Sequence, residues 1–124
     1  MVIQGSQEVN TVFDQAQLRK GTLEGCILQI ISREPTYGYA IAVTLRDSGF
    51  ADLTEGTLYP LLHSLEEKEL IISYEKDEYA ARPRRYYHLA RKGRALLREK
   101  EEEWAEFTAA VDRVLRGGGC LGSA

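Results

Sequence analysis

The chain has 124 residues, 44% of them hydrophobic and 28% charged, with a formal net charge of −3 at pH 7. That length makes one compact domain with room for an extra helix, and no run of about 20 apolar residues is present to span a membrane. The first ten residues lack the basic start and apolar stretch of a secretory signal, so a cytoplasmic protein is expected.

Residues 1–14 are polar and weakly patterned and read as a mobile arm. From Gln17 to Ser32, Leu23, Ile27, Ile30 and Ile31 recur at helical spacing. Arg33-Glu34-Pro35 stops that helix, because the residue before a proline is pushed out of the helical region. Thr36 then caps a second helix over 36–47 with Ile41 and Leu45 inward, and Ser48-Gly49 ends it. Thr54 is the next cap, and Leu58, Leu61, Leu62 and Leu65 behind it form one apolar stripe reaching about Lys68. The period then changes. Ile72 and Tyr74 alternate with Ser73 and Glu75, and Arg85, Tyr87 and Leu89 alternate beyond the polar link KDEYAARP, which predicts a β-hairpin with a protruding tip.

From about Arg91 to Arg116 the helical period returns. Leu97, Trp104 and Val111 fall at successive sevens, with Phe107 and Val114 in the matching second register. This is a coiled-coil-like seam, interrupted at Lys100, on a helix roughly 39 Å long. The domain plan is thus an arm (1–14), a folded domain (15–89), a C-terminal helix (90–116) and a flexible tail (117–124).

Charge is segregated along this plan. Arg82, Arg84, Arg85, Arg91, Lys92, Arg94 and Arg98 occur with no acidic residue among them, and EKEEE follows at once. A segregated basic stretch builds a local positive field on a mildly acidic chain. Three short helices and a hairpin are the order of a winged helix-turn-helix, mainly α with a small β-hairpin, in which the last of the three helices enters the major groove of double-stranded DNA. The face of that helix opposite its leucines shows Thr54, Thr57, Tyr59, Pro60 and His63, groups able to touch phosphates and base edges. Arg82, Arg84 and Arg85 on the hairpin are the candidate backbone contacts, and Tyr86 and Tyr87 point to opposite faces. His63 and His88 are too few and scattered for a metal site, and no phosphate-cradling glycine loop or activated nucleophile is present. No enzyme activity, metal or cofactor is expected. Cys26 in an apolar stretch and Cys120 in the tail make no disulfide framework, and Cys26 reads as a small core residue.

LRKGTLEGCILQII, YGYAIAVTL, EGTLYPLLHSLEEKELI and RPRRYYHLARKGRALL, in unbroken order over residues 17–116, together resemble the PadR family of bacterial transcriptional regulators. The resemblance implies a winged helix with a C-terminal helix that pairs two subunits, usually acting as a ligand-responsive repressor. By the same resemblance Lys20, then Tyr37, Gly38 and Tyr39, then Thr57, Tyr59 and Pro60 approach DNA, and Trp104 stands at the centre of the dimer. The chain departs from the family pattern at Glu69, where a helix-ending glycine is usual, at Ala90, where a capping threonine is usual, and in a wing tip without glycines.

These readings combine in a homodimer paired through Leu97, Trp104, Phe107, Val111 and Val114, bound to an inverted-repeat operator. Trp104 either packs that interface or stacks a planar aromatic or cationic effector. A winged helix that serves only as a protein-interaction adaptor is the rival reading, and a repressor tuned by oxidation of Cys26 is a third.

Overall fold

The apolar stripes of the chain converge on one core. In the computed structural model, which describes residues 22–77 and 83–117, helices α1 (Leu23–Arg33), α2 (Gly38–Ser48) and α3 (Glu55–Glu67) surround it. Strands β1 (Thr36–Tyr37), β2 (Ile71–Asp77) and β3 (Pro83–Leu89) and the long helix α4 (Arg91–Leu115) complete the order. The expected arm, Lys20, Arg82 with the rest of the hairpin tip, and the tail beyond Gly117 lie outside the described residues.

Helix α1 contributes Leu23, Ile27, Leu28 and Ile31 to the core, and Ile30 packs against it half-buried. It ends at Glu34, extended at φ −170° as a residue before proline must be. The segment after Pro35 differs from expectation. Thr36 does not cap α2; with Tyr37 it forms β1, which pairs antiparallel with β3 through Thr36–Tyr87 and Tyr37–Tyr86. The sheet therefore has three strands in the order β1-β3-β2, not the two of a bare hairpin. A two-residue strand carries too little periodicity to be seen in sequence. Helix α2 buries Ile41, Ala42 and Leu45 and ends at Gly49, whose φ of 132° suits glycine.

Helix α3 starts as expected, with the Thr54 hydroxyl accepting from the Thr57 N–H at 3.2 Å. Leu58, Leu62 and Leu65 are buried, and Leu61 packs at the core's margin. The helix closes by a left-handed turn: the Leu70 N–H reaches the Leu65 carbonyl at 3.0 Å, and Glu69 takes φ 65°. Glu69 thus adopts the glycine-like conformation despite its side chain.

The start of α4 is fixed on the same corner. The Ala90 N–H donates to the Leu70 carbonyl at 3.0 Å, and Gly93 sits so close to that oxygen that any Cβ would collide with it. Ala90 supplies no side-chain cap, in line with its sequence. Leu97 is a member of the core cluster, 8% exposed. Beyond Leu97 the helix leaves the core: Trp104, Phe107, Val114 and Leu115 are all more than half exposed, and Val111 is 36% exposed.

Candidate nucleic-acid interface

Because β1 stops at Tyr37 and the chain turns into α2 at Gly38, β3 runs on past its short partner. An open cleft of about 210 Å³ lies there, lined by Tyr37, Gly38, Tyr39, Tyr59, Arg84 and Arg85. Three elements supply it: the β1–α2 junction, α3 and β3. The structure thus brings together residues that the sequence places in three separate stretches.

Tyr59 packs against Gly38. A Cβ at position 38 would collide with the Tyr59 hydroxyl and lie 2.8 Å from two ring carbons. Glycine is therefore needed here for close approach of the tyrosine. Burial, and secondarily Glu55, push the Tyr59 phenol up, so it stays a neutral donor at physiological pH. Tyr39 and Tyr59 are 56% and 44% exposed beside it. The first turn of α2 opens nearby without a side-chain cap, leaving its N–H groups unpartnered within the helix.

Along the outer side of α3, Thr57, Pro60 and His63 are exposed as expected. Pro60 lies inside the helix, and the His63 Nε2 is 3.3 Å from Glu67 one turn on. Thr54 and Thr57 share their hydroxyls at 3.2 Å, so Thr54 serves the helix start.

The sheet divides the wing's charge. Arg84, Tyr86 and His88 project to one face with Tyr74 and Lys76, while Arg85, Tyr87 and Leu89 project to the other. On the outer face the Arg84 guanidinium lies 4.3 Å over the Tyr37 ring, and Lys76 Nζ lies 5.0 Å over Tyr86. Tyr86 is 7% exposed there, stacked between Tyr37 and Tyr74 at centroid distances of 5.3 and 6.0 Å. Lys76 stands directly across from Arg84. Sequence reasoning missed Lys76; its signal was the hairpin register, which needs the strand ends to be known. Tyr87 joins the core.

Cys26 is half-buried and burial pushes its thiol up, away from the thiolate that oxidation requires. Among the described residues no cluster could hold a metal ion, and no helix is long and apolar enough to cross a membrane.

The transcriptional regulator PadR-like family model matches residues 27–99. A PadR-like transcriptional regulator from Bacillus cereus is 40% identical, with a TM-score of 0.76 over 82% of this chain and 98% of its own. A PadR family transcriptional regulator from Eggerthella lenta is 34% identical, with a TM-score of 0.72 over 91% of this chain and 96% of its own. An uncharacterised protein of Lysinibacillus sphaericus is 32% identical over 83% of this chain and 96% of its own length.

Proposed function

Because the chain belongs to the PadR-like family of transcriptional regulators, and so is a DNA-binding regulator and not an enzyme, we propose that it is a homodimeric repressor gripping backbone phosphate at the Tyr37–Tyr59–Arg84 cleft. The observation that carries this reading is the cleft itself. It joins the helix-turn-helix to the wing, holds hydroxyl and guanidinium donors, and flanks the exposed face of α3. A phosphate seated there sets the register in which Thr57, Pro60 and His63 meet base edges. Lys20 and Arg82 are proposed as further backbone contacts.

Two copies joined through the exposed stripe of α4 would set the recognition helices about one DNA turn apart, on an inverted repeat. Leu97, expected in that seam, is instead 8% exposed in the core of its own domain and does not join the exposed stripe. A planar aromatic or cationic effector stacking on Trp104 would release DNA by preferring a different spacing of the two heads.

A gel shift with the chain's own upstream region tests the reading. A specific shift that weakens steeply with salt is expected, and Tyr59→Phe and Arg84→Ala should each weaken it. The adaptor reading predicts no specific shift.

A further inference from the structure

Arg84 and Arg85 are adjacent in sequence and face opposite ways. Arg85 Nη2 donates to the Ser73 hydroxyl at 3.0 Å, and that hydroxyl donates to Glu66 Oε2 at 2.5 Å. The same guanidinium nitrogen is 3.9 Å from the carboxylate. Three elements meet in this chain: β3 through Arg85, β2 through Ser73, and α3 through Glu66. Arg85 also reaches Tyr87, whose phenol is raised by burial and drawn back by the Arg85 charge and hydrogen bond.

Arg84 has another environment. Among the described residues neither it nor Lys76 forms an ion pair, and the two cations stand directly opposite each other. Like charges so placed repel, and an anion between or above them removes the repulsion. Its Cζ lies 4.3 Å from the centre of the Tyr37 ring, a contact that places the guanidinium without neutralising its charge.

Resting on the DNA-binding reading above, we propose that the two arginines have separate roles. Arg84 and Lys76 meet backbone phosphate, and Arg85 is a positioning residue that ties the wing to the recognition helix through Ser73 and Glu66. A guanidinium already offset by a carboxylate releases few counterions from DNA. What Arg85 supplies is the fixed angle between hairpin and helix, so that phosphate and base contacts are made together.

Ser73→Ala tests this without altering charge. Ser73→Ala and Arg85→Ala should each weaken operator binding about ten-fold while leaving the slope of log Kd against log salt as it is. Ser73→Thr, which keeps the hydroxyl, should restore affinity, and the double variant should bind no worse than Arg85→Ala alone. Arg84→Ala and Lys76→Ala should each lower the slope by about 1. A slope lowered equally by Arg85→Ala, or wild-type binding by Ser73→Ala, overturns the assignment. A second arm needs no DNA: in the free protein, Ser73→Ala and Arg85→Ala should speed amide hydrogen exchange over residues 73–76. Unchanged exchange overturns the tether. Faster exchange in the variants of a protein that shows no specific shift would keep the tether and defeat the DNA-binding reading.

Discussion

Glu69 sits at φ 65°, where its Cβ crowds the following carbonyl. A non-glycine residue there costs roughly 1–2 kcal/mol, set against about 0.5–1 kcal/mol for the extra freedom glycine has in the unfolded chain. Its ion pair with Lys92, at 3.9 Å and on the surface, contributes little. Glu69→Gly should therefore raise stability by about 0.5 kcal/mol, read as a higher urea midpoint at unchanged slope. Cys26 gives a second test at this scale. Its pKa is raised in the folded state, so above the ordinary value of 9.0 the unfolded chain loses this proton first. The contribution is complete below that pH and is lost as pH climbs towards the folded-state value. Urea titrations across that window should show stability falling in the wild type and falling less in Cys26→Ala.

Ala90 starts α4 with no side chain to receive the first-turn N–H groups. Ala90→Ser should stabilise the domain by about 1 kcal/mol in thermal or urea melts, since its backbone is already extended as a cap requires. The helices were legible because each carries apolar residues at one helical spacing; Leu58, Leu62 and Leu65 alone define the buried side of α3. The strand β1 was not, because two residues have no period and Thr36 also suits a cap. Six site residues, from Tyr37 through Tyr59 to Arg85, were readable one by one. Their meeting in one cleft was not, since it depends on Gly38 admitting the Tyr59 ring and on β1 ending where it does. The opposite faces of Arg84 and Arg85 follow from strand alternation, yet only the position of Glu66 shows which side is occupied. Leu97 matched the seam's spacing and also the core's, and one helical period cannot separate the two.

At the scale of the whole molecule, α4 projects beyond its domain with Trp104 and Phe107 in ring contact at 6.2 Å and Val111, Val114 and Leu115 exposed further along. That apolar stripe, buried against nothing in its own domain, is the surface proposed above to meet a second copy. Phe107→Glu with Val111→Glu should leave a monomer by sedimentation at micromolar concentration and lower the helical signal. A dimer surviving both changes would place the subunit contact elsewhere. The pairing of Thr36 with Tyr87 has a consequence in time as well as in space. It closes a loop spanning most of the domain, and the cleft exists only when that loop is closed. In chain order α2 and α3 leave the ribosome well before the strand that closes the cleft. On the reading proposed above, the phosphate grip is missing from a nascent chain until β3 has emerged and paired with β1.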